Sequence, residues 1–286
     1  MIDVIFSDID GCFVPQGYDP LGSVQRDEDS EPYFEYYRNY SGPQLVLCTG
    51  RAWANTLGIL RRAHFLPNQR VVWPDQPVLC ENGIDVIIDP VNGDRTSLID
   101  ELDELDHLGP VVERIKWAGG ELELVLDELR EGLEADFGRD VAPIQLIKKN
   151  FCVTARIPHF EGTAQQVDAP RFCHSLTQAV QRPLGSTLED GSARIILSSS
   201  AVDITLPIGK GDGVKYLLER YGTSPKRAAY IGDSVPDIEG MKQVGLACCP
   251  SNAVVPVKEH VASLGESGYV SPSTHADAEV DILNYI

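Results

Sequence analysis

"VIFSDIDGCF", Val4 to Phe13, is the stretch whose reading decides the fold. An apolar run leads through Ser7 into two aspartates one residue apart, Asp8 and Asp10, and then into Gly11. The run reads as a buried strand with both carboxylates at its tip. Residues i and i+2 of a strand point the same way, so both can face one crevice. Each carboxylate is costly to bury without a cation, and together they repel. A compensating group must therefore come from elsewhere in the chain.

Outward from this stretch, strands and helices alternate. "PQLVLCTG" reads as a second strand ending at Thr49 and Gly50, and "RAWANTLGILRRAHF" has helical spacing at Trp53, Leu57, Leu60 and Ala63. "QPVLCENG" is a third strand candidate, and "GIDVIIDPVNGDR" a hairpin turning at Asn92-Gly93. Strands alternating with helices predict an α/β fold with a Rossmann-like parallel sheet. The acidic "QRDEDSEP" (25–32) reads as a solvated loop, and the Tyr-rich stretch from Pro15 to Gly42 as a packed surface helix.

From about residue 96 the pattern changes. "SLIDELDELDHLGPVVERIKWAGGELELVLDELREGLEADFG" is acidic and helix-rich, and "QLIKKNFCVTARIPHF" alternates like a strand. "DAPRFCHSLTQAVQRPL" reads as a helix and "ARIILSSSAVDITLPI" as two strands. The first pattern resumes near residue 207 with "KGDGVKYLLERYG" and "RAAYIGDSVPDIEGMKQVG". The expected organisation is a core of residues 1–95 and 201–286, with 96–200 an inserted smaller α/β domain.

Composition narrows the classes. At 43% hydrophobic and 23% charged, the 286 residues read as globular. No run approaches the ~18 apolar residues of a membrane span, and the N-terminus lacks the pattern of a secretory signal. The net charge of −19 argues against nucleic acid and anionic membranes as partners. Seven cysteines (Cys12, Cys48, Cys80, Cys152, Cys173, Cys248 and Cys249), odd in number and without a CxxC pair, predict reduced thiols in a cytoplasmic protein.

Four segments carry chemistry. Ligands of open parallel α/β sheets bind outside the carboxyl ends of the strands, and each segment is expected at such an end. Asp8 and Asp10 are the first. Thr49 with Gly50, before a helix, forms an anion site from a hydroxyl and backbone N–H groups. Lys210 stands between two glycines at a helix start. Asp233 ends "YIGD", and Asp237 reaches the same point across a helix N-terminus. Asp8, Asp10 and Asp233 can share a hard divalent cation. Magnesium fits, because it takes one or two carboxylates, waters and phosphate oxygens. Metal and lysine together would let an acidic chain accept an anion. Any one segment alone is a weak signal; all four in this order are not.

These segments, "DIDG", "TGR", "KGDG" and "GDSVPD", resemble the four motifs of the haloacid dehalogenase-like hydrolases. The insert between the second and third resembles, in position and length, the α/β cap of the class II subgroup, which includes many sugar-phosphate phosphatases. "CENGIDVI" resembles that subgroup's segment before the cap, and "VGLACCPSNAVVPVKEHVASL" its stretch after the fourth motif.

The resemblance implies a catalytic role for Asp8 as nucleophile and for Asp10 as acid and then base. Thr49 is implied to bind the phosphoryl group, and Lys210 to neutralise charge. Asp8, Asp233, the backbone carbonyl of Asp10 and a supporting Asp237 are implied as the metal set. Gly50 and Arg51, from "TGR", are expected to bind substrate. A carboxylate is a competent covalent nucleophile, and phosphoryl transfer needs mainly positioning and neutralisation. Ser234 and Pro236 depart from the subgroup's usual Gly and Asn.

The implied activity is a magnesium-dependent phosphatase of a small phosphorylated metabolite, in a monomer or homodimer. A phosphomutase on the same scaffold, or a regulatory binding protein with a degenerate site, are the alternatives. The insert is expected to cover the site and read the substrate, with Lys148, Lys149, Arg156 and Arg194 as candidate cations.

Overall fold

Val4–Ser7 forms strand β1, and its four side chains are all buried. A strand covered on both faces lies between parallel neighbours. In a computed structural model, β1 pairs in parallel with β2 (Gln44–Leu47) on one side. On the other side it pairs with the strand Ala228–Ile231. The structure describes residues 1–14, 27–137, 145–156, 174, 177–178, 181, 184–197 and 201–286. The helix expected at "DAPRFCHSLTQAVQRPL" and the start of the Tyr-rich stretch lie largely outside these residues.

The remaining strands are β3 (Val78–Cys80), β4 (Asp85–Asp89), β5 (Asp94–Ser97), β6 (Gln145–Lys148), β7 (Val153–Arg156), β8 (Arg194–Leu197), β9 (Ala201–Thr205), β10 (Ala228–Ile231), β11 (Leu246–Cys249) and β12 (Gly268–Val270). The parallel sheet has the order β12-β11-β10-β1-β2. The α/β fold with a parallel core sheet is therefore as expected. β3 is not a member of that sheet: it pairs antiparallel with β4, which pairs with β5. A single parallel bridge, Cys48 to Leu79, links it to the end of β2.

The chain divides into two compact units, Met1–Glu101 with Ile208–Ile286, and Leu102–Pro207. In the first, the helix Asp27–Asn39 starts inside the acidic stretch expected as a loop. Acidic residues favour a helix N-terminus, and Glu31 is paired with Arg38 and Arg62. Phe34, Tyr37 and Tyr40, at helical spacing, are buried. Tyr37 stacks on Phe13 with ring centroids 3.8 Å apart and donates to the Phe13 carbonyl at 2.8 Å. This helix thus clamps the loop that follows Asp8, the aromatic contact contributing about 1 kcal/mol beyond burial.

In the second unit the antiparallel sheet has the order β6-β7-β9-β8. The described part of "QLIKKNFCVTARIPHF", residues 145–156, is a hairpin, not one strand, because Lys149 N–H closes on Cys152 O at 3.0 Å. The helix Gly109–Phe137 packs on the sheet, and at Gly119 a Cβ would lie 2.8 Å from Val153 Cγ2. Val153, Ala155, Val202 and Ile204 make the buried face. Alternation puts Thr154, Asp203 and Arg194 on the opposite face. Lys149 joins that face through an ion pair with Asp203 at 3.8 Å, whereas Lys148 pairs with Glu123 of the helix at 2.5 Å.

Candidate active site

β1 ends at Ser7, so Asp8 and Asp10 lie in the turn beyond it rather than on the strand. Alternation along a strand therefore does not orient them; the turn does. Asp8 N–H donates to Ile231 O at 2.9 Å, and Val14 N–H closes on Ile9 O at 2.9 Å. Gly11 carries φ +79, and a Cβ there would lie 2.4 Å from Asp233 Oδ2. Only glycine lets this backbone lie against the Asp233 carboxylate.

The two aspartates diverge. Asp8 accepts from Lys210 Nζ at 2.9 Å. Asp10 is held by Arg51, Nε to Oδ2 at 2.8 Å and Nη2 to Oδ1 at 2.6 Å. The carboxylate cluster is Asp8, Asp233 and Asp237, whose oxygens lie within 4.8 Å of one another. The Asp10 side chain is not in it, contrary to the reading of Asp8, Asp10 and Asp233 as one set of carboxylates.

Lys210 opens the helix Lys210–Arg220 and is 3% exposed. It does not follow a strand of the parallel sheet, because β9 belongs to the four-stranded sheet. The turn Glu81-Asn82-Gly83, with φ of 47, 60 and 89, lies against the start of this helix. A Cβ at Gly83 would lie 2.9 Å from both Gly209 O and Lys210 Cα. Lys210 Nζ also donates to Asp237 Oδ1 at 2.6 Å.

Asp237 is fully buried. Its Oδ1 also accepts from Tyr230 at 2.9 Å, and its Oδ2 from Ser234 N and Oγ at 2.9 and 2.6 Å. Both oxygens are engaged, which makes Asp237 an anchor for Lys210 and for the Asp233 loop. Ser234 serves that loop through the same bonds. Asn82 binds the second segment: its N–H donates to Thr49 O at 2.9 Å, and Thr49 Oγ1 accepts from Arg51 N–H at 3.1 Å. A Cβ at Gly50 would stand 3.0 Å from Asn82 Oδ1.

Burial pushes the Asp8 carboxyl up to about 7; the Lys210 ammonium pulls it down, and Asp237 and Asp10 push it further up. Burial, followed by the charges of Asp8 and Asp237, pushes Asp233 up to about 8. Lys210 is shifted well above its ordinary value because the neighbouring carboxylates outweigh its own burial. One ammonium thus faces more negative charge than it neutralises. The donors are oxygens throughout, as a hard cation requires.

Comparison with known proteins agrees with the resemblance read from the motifs. Residues 195–271 match the family model for haloacid dehalogenase-like hydrolases. No curated protein matches the chain. The fold is shared with a sucrose-phosphatase from Synechocystis sp., solved with sucrose and phosphate, at 17% identity and TM-score 0.53, over 100% of this chain and 98% of that one. It is also shared with a haloacid dehalogenase-like hydrolase from Bacteroides thetaiotaomicron, at 14% identity and TM-score 0.57, over 100% and 99% of the two chains. A Thermoplasma acidophilum protein is similar at 16% identity and TM-score 0.56, over 100% and 98%. Among the described residues, no helix is long and apolar enough to cross a membrane.

Turn and contact residues escaped the motif reading. The Arg51–Asp10 and Lys210–Asp237 pairs and the role of Asn82 depend on contacts between separate segments, whereas Tyr230 and Ser234 meet Asp237 within one strand-turn-helix segment. Only the Asn-Gly pair at 82–83 carried a local signal for a left-handed turn.

Proposed function

We propose that the chain is a magnesium-dependent phosphatase that hydrolyses a small phosphorylated metabolite through an aspartyl-phosphate on Asp8. The observation that carries this is Lys210 Nζ, shared between Asp8 Oδ1 at 2.9 Å and Asp237 Oδ1 at 2.6 Å, beside Asp233. It is a buried carboxylate with a fixed counter-charge and a second carboxylate for a cation.

Asp8 attacks phosphorus, and the leaving oxygen takes a proton from Asp10, which carries one only after Arg51 has let go of it. Asp10 then removes a proton from the water that opens the acyl phosphate. Thr49 and the N–H groups around Gly50 hold the phosphoryl oxygens. Asp8 and Asp233, with the carbonyl of Asp10, would hold magnesium, which would offset charge on those oxygens when bound. Asp237 acts by fixing Lys210. Both oxygens of Asp10 are engaged by Arg51, so proton transfer requires that Arg51 release one. An anionic substrate competing for the guanidinium does this, which gives Arg51 its place in substrate binding.

The unit Leu102–Pro207 is proposed as the cap that reads the substrate. Lys149, Thr154, Asp203 and Arg194 on its polar sheet face suit hydroxyl-rich ligands, and Arg156 is the last residue of β7. Lys148, tied to Glu123, is not retained. A sugar phosphate or related monoester is the proposed substrate class. The deciding experiment is a phosphate-release screen over phosphorylated sugars, sugar acids and glycerates, with and without magnesium. Release from none of them, or release indifferent to magnesium and to Asp8→Asn, overturns the proposal. Phosphate retained on a transferred product would identify a mutase.

A further inference from the structure

Glu279 lies in the helix His275–Tyr285 and is fully buried. Its Oε2 stands 3.0 Å from Ser7 Oγ, while its Oε1 has no hydrogen-bond partner among the described residues. Ser7, itself fully buried, is the last residue of β1 and directly precedes Asp8. The same Ser7 Oγ lies 2.9 Å from the Asp8 carbonyl oxygen.

These contacts can be counted in protons. A serine hydroxyl brings one proton, a carbonyl only accepts, and an ionised carboxylate only accepts. With Glu279 ionised, one proton would face two acceptors, and one oxygen pair would be left without a hydrogen. A buried negative charge would also be left with at most one hydrogen bond, an expensive arrangement. With Glu279 protonated, its O–H donates to Ser7 Oγ and Ser7 donates to Asp8 O, so both contacts are complete.

We propose that Glu279 is a positioning residue held as a neutral carboxylic acid, which donates to Ser7 and thereby fixes the carbonyl of Asp8. Glu279 forms no ion pair among the described residues. Among the described residues, the titratable groups coupled to it electrostatically are Asp8, the thiols of Cys12 and Cys248, and the phenols of Tyr36, Tyr37 and Tyr40, none of them a cation. Burial, the leading cause, pushes the Glu279 carboxyl up to about 8, against the Ser7 hydrogen bond. The last helix of the chain is thereby coupled to the loop that carries Asp8.

The kinetic part of this inference rests on Asp8 as nucleophile; the spectroscopic part does not. Infrared difference spectra of the full chain against Glu279→Gln read the protonation state directly. The expected result is a protonated-carboxyl band at pH 7 in the parent, lost in Glu279→Gln and fading as pH rises through about 8. Absence of that band at pH 7 overturns the proposal whether or not the protein is a phosphatase. In the phosphate-release assay, Glu279→Gln, which still donates to Ser7, keeps a rate close to the parent's. Glu279→Leu, which cannot, loses about 10²-fold in kcat, the scale of a misplaced reacting group. Equal losses in the two variants, at matched melting temperatures, also overturn it.

Discussion

Arg51 grips Asp10 with a two-pronged bond, Nε to Oδ2 at 2.8 Å and Nη2 to Oδ1 at 2.6 Å, while Asp8, two residues earlier, is gripped by Lys210. Neighbouring carboxylates thus have separate cations, which allows both to stay near one site. If Arg51 passes from Asp10 to the substrate, Arg51→Ala weakens binding more than chemistry. The expected result is a KM raised by about 10- to 100-fold, the worth of a charged hydrogen bond, with a smaller fall in kcat. Steady-state kinetics on the best substrate of the screen check it; an unchanged KM removes Arg51 from substrate binding.

Asp8→Asn leaves the fold intact and stops turnover, because an amide does not form the acyl phosphate. A loss of roughly 10⁴-fold or more is expected, the scale for a missing covalent nucleophile. Phosphate release at matched purity and unchanged circular dichroism are the measurements.

Lys210→Met removes the ammonium from between two buried carboxylates, Asp8 and Asp237, whose side chains are 8% and 0% exposed. Breaking a buried pair from one side costs about 3–5 kcal/mol. The variant is expected to unfold at lower denaturant and to be inactive. Lys210→Met with Asp237→Asn recovers part of the stability and none of the activity. Equal stability of the single variant and parent contradicts the ion-pair account.

Magnesium binding is expected to strengthen as pH rises. Asp8 and Asp233 have carboxyls raised to about 7 and about 8, so at pH 6 both hold protons that a cation must displace. Without metal, the folded chain keeps these protons above the ordinary carboxylate pKa while the unfolded chain has lost them. Stability from these groups is therefore fully present below about pH 4 and falls as pH rises toward 7–8. Magnesium should raise Tm by mass action, more at pH 8 than at pH 6. Asp233→Ala should abolish the shift, while Asp237→Ala reduces it less. Thermal melts at both pH values test this, and a shift independent of pH contradicts it.

Gly83→Ala tests the turn behind Lys210. Its φ is +89, and the new Cβ would meet Gly209 O and Lys210 Cα at 2.9 Å. Strain of this kind costs about 1–3 kcal/mol. A lower melting temperature is expected, with a loss of phosphate release as Lys210 is displaced. Gly93→Ala, where the φ is +77 but nothing lies within 4 Å, is the control for backbone strain alone and leaves the rate unchanged.

Local chemistry determined much of this protein. Apolar runs of four or five residues ending in Asp8, Thr49 or Asp233 read as parallel strands because sheet burial and the charge that ends it are both local properties. The same spacing brought Asp8, Lys210 and Asp233 onto one list, and the structure places them in one cluster.

Only the tertiary structure decided how the charges are shared. Arg51 holds the Asp10 side chain, and Asp237 anchors Lys210. β3 leaves the parallel sheet, and the acidic stretch after residue 26 becomes a helix tied down by Arg38 and Arg62. Glu279 reaches Ser7 across 272 positions of sequence. Pairing between distant charges, and the protonation that burial forces on them, depends on distances and solvent exclusion that come into being only when the chain folds.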